Sequence, residues 1–490
     1  MVISGAKASG KLVSILNVHR QKQQKSIERI STGKKLFSDQ PSSMILADTL
    51  LGSISATEQA IKNTEQNISL LQVADDAVAN ITPLLSYLKQ VALRAANFAQ
   101  DEDLGREINQ EEIQLTIDAI DRLVKATSFG KRKLLDGSSG AAGIASGPYL
   151  EFVSANEKTS ATEQTGSKVE VTQRATQSYV IGDEPITADK LEAGFTIHAM
   201  ANNRTAQYKA NETDTVVSFL RNLQTELDSE GLDLTADFSP KGELLLYSNQ
   251  FGSKHEFQVS ADKEEIISSS ANKFVSSTPG ADTQGSINGE KLIGDGQLLK
   301  GIKGSANADG LVLRYNYQNN DLGSTAPAEI DAGSVIIQQN ALHFQTFPDE
   351  RGDFYLSLDN LSVSNLGKTA INDSNFKSLK DIDVSTLKNA HSTIKVVEAA
   401  QDQVIGFRGK MGAAQKQGLE SGLHYLLSAK GNMQAAETNI SDVDYAEELI
   451  NAIRSQLNTS ATIWAMNQSF SQQGKVQNLL LNIDTIDSKS

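Results

Sequence analysis

Histidines are the first residues to consider for chemistry, because imidazole acts as a base and as a metal ligand near neutral pH. The six histidines of this chain are scattered over every part of it: His19, His198, His255, His343, His391 and His424. His255 and Glu256 begin a pattern typical of zinc proteases, but Val259 stands where that pattern requires its second histidine. The pair is more simply interpreted as a polar position at the edge of a strand.

Glycine-containing motifs that bind phosphate are also incomplete. Gly33 and Lys34 lack the earlier glycine of a phosphate-binding loop, because Glu28 occupies its position. Gly294 and Gly296 are not followed by the third glycine of a dinucleotide-binding turn. The chain has no cysteine, which excludes thiol nucleophiles and thiolate metal sites. The sequence therefore predicts no catalytic site, no metal site, no cofactor and no enzymatic activity.

Composition narrows the choice of partners. The 490 residues carry a formal net charge of −15, which disfavours nucleic acid as a partner. No run of about 18 apolar residues predicts a membrane-spanning helix, and residues 1–20 lack a recognisable cleavage site for a signal peptide. Residues 1–40 differ from the rest in having eight basic and two acidic side chains. A solvated helix face is the commonest reason for such an arm, with a targeting signal or a nucleic-acid arm as alternatives.

Both ends of the chain have helical periodicity, from about residue 12 to 135 and from about 375 to 486. Apolar residues spaced by seven in the first stretch are Ile54, Ile61 and Ile68, then Leu71, Val78 and Leu85. In the second stretch they are Ala390, Val397, Val404 and Met411. Heptad spacing predicts helices that pair through one apolar stripe, and the two ends are the best available partners for each other.

Some details of these helices can be predicted. Pro83 lies inside the first long helix, where it should remove one backbone hydrogen bond and bend the helix. Ser441, with Asp444 three residues later, is predicted to begin the last helix as a capping box. That helix carries Ile450, Ile453, Leu457 and Trp464 on a stripe diluted by small and polar residues. It should therefore be marginal without a neighbour.

The middle of the chain, about residues 138–378, changes to short alternating stretches separated by glycine, asparagine, aspartate and serine. Strands are predicted at 168–181, 195–201, 233–238, 242–248, 255–260, 311–317, 334–338 and 354–358. One amphipathic helix carries Val216, Leu220, Leu223 and Leu227. The predicted fold is a mainly α coiled-coil rod formed by both termini, with an inserted β-rich (α+β) outer domain.

Several segments resemble bacterial flagellins and their hook-associated relatives. The longest is IERISTGKKLFSDQPSSMILADT at 27–49, followed by QNISLLQVAD at 66–75. Near the other end, ISDVDYAEE at 440–448 and VQNLL at 476–480 resemble the closing part of the same family. The resemblance covers about 135 residues at one end and about 110 at the other, in the family's order. It implies a structural subunit that polymerises into the flagellar filament for motility.

The resemblance implies a division of labour along the chain. Terminal helices at 1–45 and 446–490 would form the filament core, 46–137 and 379–445 a coiled-coil rod, and 138–378 a β-rich surface domain with sub-modules at about 168–270 and 271–378. The predicted assembly interface comprises Ile27, Ile30, Ile54, Ile61, Ile68, Leu71, Val78, Val397, Val404, Ile450, Ile453, Leu457 and Trp464. The terminal segments have thin apolar stripes, so we expect them to be largely disordered until neighbouring subunits cover them.

The resemblance also implies partners and a location. It implies a homopolymer on the outside of the cell, exported by the flagellar apparatus without a cleaved signal peptide. An export chaperone would bind the C-terminal helix, and hook-associated and cap proteins would be neighbours. In family members sensed by a Toll-like innate receptor, an arginine and a glutamate on the outer rod helices matter. Glu112 matches that glutamate, but Tyr87 occupies the position of the arginine, so the sequence offers half of that contact.

The sequence leaves three other interpretations of the function open. A hook–filament junction protein of the same family would be present in few copies. A secreted adhesin or enzyme could use the rod as a stalk, and a cleft with convergent carboxylates or histidines in the insert would favour it. A cytoplasmic coiled-coil scaffold is compatible with the absence of a signal peptide but leaves the family-like end segments without a role.

Overall fold

The structure, a computed structural model, describes residues 2–38, 40–97, 103–317, 330–348, 352–372 and 374–487. The chain divides into two compact units. The first unit comprises Met1–Asn63, Thr346–Arg351 and Gly422–Ser490, and the second comprises Thr64–Gln345 and Gly352–Ser421. No helix in the described ranges is both long and apolar enough to span a membrane.

Long helices occupy both ends of the chain, as the periodicity predicts. The helices are α1 Val2–Thr32, α2 Pro41–Ala95, α3 Asp103–Ala126, α4 Ala188–Glu192, α5 Val216–Ser229, α6 Leu387–Ala413, α7 Ser421–Ser441 and α8 Tyr445–Asp487. A π-helical segment, Ala414–Glu420, joins α6 to α7. Helix α2 is continuous at Pro83. Nearby hydroxyls of Thr82 and Ser86 donate to backbone carbonyls one turn earlier, 3.1 Å away in both cases. The predicted bend at Pro83 stays a prediction.

In the first unit α1 and α8 pair in antiparallel orientation. Gln23 forms a hydrogen bond with Gln456, and Arg29 Nη1 donates to Glu448 Oε1 at 2.6 Å. The residue numbers of α8 therefore decrease along the pair as those of α1 increase. The predicted pairing between the two ends of the chain is confirmed. The expectation that the ends are largely disordered before assembly stays a prediction; the structure describes α1 and α8 as helices that pair within one chain.

The start of α8 corrects one prediction. Ser441 is the last residue of α7, and its hydroxyl donates to Glu437 Oε1 at 2.8 Å. The side chain of Asp444 caps α8 instead, since its Oδ1 accepts the backbone N–H groups of Ala446 at 2.9 Å and Glu447 at 3.2 Å. The prediction that Ser441 caps the last helix was therefore wrong.

The helical core of the second unit joins α2, α3 and α6. Its buried side chains include the predicted rows Leu71, Val78 and Leu85 of α2 and Val397 and Val404 of α6, with Ile113 and Ile120 of α3 between them. Residues 342–384 add Phe344, Leu358 and Leu379 to this core. The same core takes no buried residue from 136–341 among the described residues, so the helices and the central region bury separate apolar cores.

Strands fill the central region. They are β1 Ser128–Phe129, β2 Arg132–Lys133, β3 Ala141–Ser146, β4 Leu150–Ser154, β5 Ser167–Gln173, β6 Gln177–Pro185, β7 Thr196–Ala201, β8 Arg204–Lys209, β9 Leu234–Phe238, β10 Glu243–Phe251, β11 Gln258–Ala261, β12 Val275–Ser276, β13 Gln284–Ile287, β14 Glu290–Asp295, β15 Leu298–Gly301, β16 Val312–Tyr315, β17 Ile330–Gln339, β18 Leu342–Phe344 and β19 Phe354–Leu356. The strands that were not predicted are β1 to β4, β8, β12 to β15 and β18. They are short or rich in small residues, so alternation does not reveal them.

This region contains two β modules, and the first is inserted in the sequence of the second, between β5 and β13. The first has the sheets β6-β10-β9 and β12-β11-β7-β8, and these share a core with α5 through Phe195, Phe219 and Leu244. The second is one antiparallel sheet of eight strands, β3-β17-β5-β13-β14-β15-β16-β4. The stretch 168–181, predicted as one strand, is two, because β5 belongs to the second module and β6 to the first.

Candidate assembly surfaces

One face of α8 is buried and polar. The buried positions are Glu448, Ser455, Thr459 and Thr462, which are separated by seven, four and three residues. That spacing places them on a single face of the helix, and Arg29 of α1 contacts Glu448 there. In α1, whose side chains are described from residue 10 onward, the buried positions are Leu16 and Ser26. The seam between the two terminal helices is therefore built mostly from hydroxyls and charges rather than from aliphatic side chains.

The opposite face of α8 is apolar and exposed. Ile450, Ile453, Leu457 and Trp464 are 58, 52, 65 and 70% exposed, respectively. They are separated by three, four and seven residues, which also defines one face, on the far side from the buried positions. We call these four residues the α8 stripe. A helix that exposes its apolar face and buries its polar face is reversed relative to an ordinary surface helix, and such a face calls for a partner.

Two polar atoms in the seam have no hydrogen-bond partner. Thr459 Oγ1 and Glu448 Oε2 are both buried and unpaired. An unsatisfied buried polar atom costs about 1–3 kcal/mol. The α1–α8 pair is therefore held weakly within one chain.

The turn that follows α1 is tied to the turn that precedes α8. Lys35 N–H donates to Ser441 O at 2.7 Å, and Val443 N–H donates to Gly33 O at 3.1 Å. Gly33 has φ +70°, and a Cβ there would lie 2.7 Å from the Tyr445 hydroxyl, so glycine suits this position. These two turns, residues 33–38 and 441–444, are called the paired turns below.

Glu437 supports the paired turns through its carboxylate. Lys34 Nζ lies 2.9 Å from Glu437 Oε1, and the Ser441 hydroxyl donates to the same oxygen. The hydrogen bond from Lys34 and then that from Ser441 lower the pKa of Glu437 below its ordinary value of 4.5, against a smaller opposing effect of burial.

Further exposed apolar side chains in the first unit were not predicted. They include Val13, Ile15 and Val18 of α1, Ile45, Leu46 and Leu51 of α2, and Tyr445, Leu449 and Phe470 of α8. Their positions fall beside the seven-residue rows, so a search for heptads misses them. A search for apolar residues left over on a helix, once its paired face is assigned, would have found them.

The predicted interface residues fall into two groups. Ile27 and the α8 stripe are exposed. Ile54 and Ile61 are buried and Ile30 is half-buried in the first unit, while Ile68 is half-buried and Leu71, Val78, Val397 and Val404 are buried in the second. The last four belong to the chain's own helical core. They are not accessible to another copy while that core is closed.

The side chains considered for chemistry stay apart. Among the described residues no group of three or more histidine, aspartate or glutamate side chains is placed to hold a metal ion. His343 Nε2 lies 2.8 Å from Asp353 Oδ2 and its ring stacks on Tyr355. His255 is half-buried, which lowers its pKa, and it has no second histidine beside it within the zinc-protease spacing.

Comparisons with known proteins bear on these surfaces. The model of the bacterial flagellin N-terminal helical region matches residues 3–140, and that of the C-terminal helical region matches residues 394–480. Polar flagellin A of Vibrio parahaemolyticus is 23% identical over 457 residues, which cover 93% of this chain and 92% of that one. Flagellin A of Helicobacter pylori is 25% identical in an alignment of 503 residues that covers 93% of this chain and 94% of that one. The chain belongs to the bacterial flagellin family.

As a flagellin, the chain is a structural subunit of the flagellar filament. Its helical ends and β-rich centre correspond to the two family regions and to the sequence between them. A solved structure of FliC from Burkholderia pseudomallei is 13% identical, with a TM-score of 0.26, and covers 71% of this chain and 98% of that one. A TM-score this low supports no argument about the fold.

The residue matched to the innate-receptor contact of flagellins is held within the chain. Glu112 Oε2 accepts the Tyr87 hydroxyl at 3.0 Å and is also bonded by the guanidinium of Arg94, whose Nε donates to Asn109 Oδ1 at 2.8 Å. The hydrogen bond to Glu112 raises the pKa of Tyr87. Glu112 therefore already has two partners within the chain.

Proposed function

We propose that this flagellin polymerises through the outward faces of α1 and α8. The observation that carries the proposal is the α8 stripe, which exposes four large apolar side chains while the helix buries its polar face against α1. An unassociated chain would leave this area in water. A second copy of the chain can cover it.

The free energies of burial favour assembly of subunits over a stable α1–α8 pair in an isolated chain. Burying a side chain of the size of Ile450, Ile453 or Leu457 contributes about 1.5–3 kcal/mol each. Within one chain the same helices leave Thr459 Oγ1 and Glu448 Oε2 unsatisfied. Contacts between subunits therefore contribute more to the stability of α8 than its contacts with α1.

The proposed interface uses only some of the residues that the sequence predicts for it. It includes Ile27 and the α8 stripe, together with Val13, Ile15 and Val18 of α1. Ile30, Ile54 and Ile61 belong to the first unit and would support the interface from behind. Ile68, Leu71, Val78, Val397 and Val404 hold the helices of the second unit together.

The central region is proposed to lie on the outer surface of the filament. Its two β modules have their own buried cores. The strands of these modules begin just after Gly140 and end just before Asn340. The Asn340 N–H donates to Gly140 O at 3.2 Å. The sequence of residues 141–339 can therefore vary without disturbing the helices on either side of it.

Export and chaperone binding are proposed from the family. The subunit would pass unfolded through the flagellar export apparatus without loss of an N-terminal peptide, and a chaperone would cover the α8 stripe before export. The absence of cysteine and the weak α1–α8 seam support this, because neither locks the chain in a folded state. Hook-associated and cap proteins would contact the ends of the filament.

Self-assembly of the purified full chain, followed by electron microscopy, tests the function. We expect filaments that grow from added filament fragments. Mass spectrometry of filaments sheared from cells should show this chain as an abundant component with its N-terminal segment intact. A chain found in only a few copies per filament would instead be a junction protein of the same family.

A further inference from the structure

A small polar pocket lies in the second unit, where β10, β15 and β16 meet the segment at 370–377. Its volume is about 60 Å³, which is enough for a few water molecules or one small anion. The polar side chains that line it are Asn249, Gln297, Asn316, Asn372, Asn375 and Lys377. This wall of amides and a cation is unusual for a region whose neighbouring cores are apolar.

Arg314 of β16 forms part of the pocket wall and is only 6% exposed. Its Nη2 donates to the backbone carbonyls of Lys368 and, at 3.1 Å, of Ala370. Its Nε is buried and has no hydrogen-bond partner. Arg314 therefore brings a positive charge to a place where water has little access, and one of its donors is not used within the chain.

No carboxylate among the described residues is paired with Arg314. Glu151 lies opposite Arg314 in the β16–β4 register, but its Oε1 is bonded to Lys377 Nζ at 2.9 Å. Lys368 is half-buried in the same place, and burial lowers its pKa, with further lowering by the charges of Arg314 and Lys377. Three cationic side chains thus share the charge of one carboxylate, and a desolvated positive charge that is only partly balanced is destabilising.

We propose that this pocket binds a small oxyanion on the guanidinium of Arg314. Because Nη2 is already bonded to two backbone carbonyls, the guanidinium would hold the anion through its charge and its remaining donors rather than through a two-bond fork. Lys377 adds positive charge at the pocket, and the surrounding amides can donate to the remaining oxygens. Such an anion would tie β10, β15 and β16 to the segment that leads into α6, and it would stabilise the folded second unit in proportion to its occupancy.

Calorimetric titration and thermal unfolding of the full-length unpolymerised protein test the proposal. Sodium phosphate and sodium acetate are the probes, with sodium chloride used to keep the ionic strength constant. We expect saturable binding of an oxyanion and a rise in melting temperature that chloride does not reproduce. Equal stabilisation by chloride at the same ionic strength would overturn the proposal.

Variants connect the binding to the pocket. Arg314→Lys keeps the charge but loses the remaining guanidinium donors, and we expect roughly tenfold weaker binding from the loss of one charged hydrogen bond. Lys377→Gln should also weaken binding, and it remains informative if Arg314→Lys does not fold. The matched control is Lys168→Gln, since Lys168 is likewise exposed and ion-paired to a glutamate, on the same sheet as Arg314. Unchanged affinity in both pocket variants would contradict the proposal.

One further variant addresses a carboxylate near the pocket in sequence. Asp373 lies outside the described residues and is adjacent to Asn372. Oxyanion binding that is absent in the parent chain and appears only in Asp373→Asn would mean that this carboxylate neutralises Arg314. That result would overturn the proposal, whereas equal binding by the parent and this variant supports it.

Discussion

At the scale of single residues, the terminal helices are limited by unsatisfied polar atoms. Thr459 Oγ1 is buried in the α1–α8 seam without a partner, whereas the nearby Thr462 hydroxyl donates to Asn458 O at 2.8 Å. The two threonines lie on the same face of the same helix and are both buried. They therefore form a natural pair for separating the effect of an unpaired hydroxyl from that of a paired one.

Thr459→Val should stabilise the terminal pair. Replacing the unpaired hydroxyl by a methyl group removes a cost of about 1–3 kcal/mol, so the free energy of unfolding should rise by an amount in that range. Urea denaturation of the monomer, followed by circular dichroism and by hydrogen exchange in α1, measures it. In the control Thr462→Val a satisfied hydrogen bond is lost, and stability should stay equal or fall. Equal gains in both variants would contradict the assignment.

Trp464 reports on assembly because it is the single tryptophan of the chain. It is exposed in the α8 stripe, so the monomer should emit at long wavelength. Polymerisation should bury the indole and shift the emission maximum to shorter wavelength. Fluorescence recorded before and after addition of filament fragments measures this, with circular dichroism recorded in parallel because helix content should also rise. An unchanged emission maximum in confirmed filaments would exclude Trp464 from the interface.

At the scale of elements, the two faces of α8 have different roles. The triple variant Ile450→Asp, Leu457→Asp and Trp464→Asp should abolish polymerisation, because each substitution places a charge in a subunit contact. Electron microscopy and sedimentation of assembly reactions measure the result. The matched control, Asn451→Asp, Asn458→Asp and Gln472→Asp, adds the same three charges to α8 away from the stripe. Filaments formed by the first variant, or lost equally in both, would argue against the stripe as the interface.

The paired turns should weaken in acid. Glu437 has a folded-state pKa below its ordinary value of 4.5, so its stabilising effect is complete at higher pH. The effect begins to fade as the pH falls below about 4.5, and it is lost once the pH passes the folded-state pKa. Glu437→Gln should therefore reduce the dependence of stability on pH in this acid range.

Unfolding in urea at several pH values between 6 and 3 measures that dependence. Glu447→Gln is the control, since Glu447 is an exposed carboxylate near the start of α8. A parent chain and a Glu437→Gln variant that lose stability in parallel would show that Lys34 and Ser441 do not act through this carboxylate.

At the scale of the whole molecule, the helices and the central region have separate buried cores. The helical core of the second unit takes no buried residue from 136–341 among the described residues. Among the described residues, the fully buried members of the two β cores lie between 150 and 337. Separate cores imply that each part carries its own stability, and this can be tested by removing one of them.

Deletion of residues 141–339 should leave a chain that folds and polymerises. Gly140 and Asn340 are already hydrogen-bonded at 3.2 Å, so joining them asks little of the backbone. Circular dichroism should show a larger helical fraction, and electron microscopy should show thinner filaments. As a control, a deletion extended to residue 361 removes Phe344, Leu356 and Leu358 from the helical core and should fail to fold. If both deletion variants failed to fold, the helices would be shown to depend on residues 141–339.

The sequence by itself determined the helices at both ends, their pairing, the β-rich centre and the family. Period-seven rows such as Val397 and Val404 are local and regular, so they can be read without knowledge of their neighbours. The small strands β13 to β15 escaped, because short segments with glycine depend on the sheet that receives them.

Only the tertiary structure decided which apolar rows face inward. Leu71 and Leu457 both occupy heptad positions, yet Leu71 is buried in the helical core and Leu457 is exposed on α8. An apolar stripe shows that a helix needs a partner, but it does not show whether that partner belongs to the same chain or to another copy. The difference arises because Leu71 has α3 and α6 beside it, whereas α1 pairs with α8 through the other, polar face. The pocket around Arg314 was decided in the same way, since the residues that surround it come together only when the strands and the segment before α6 are folded.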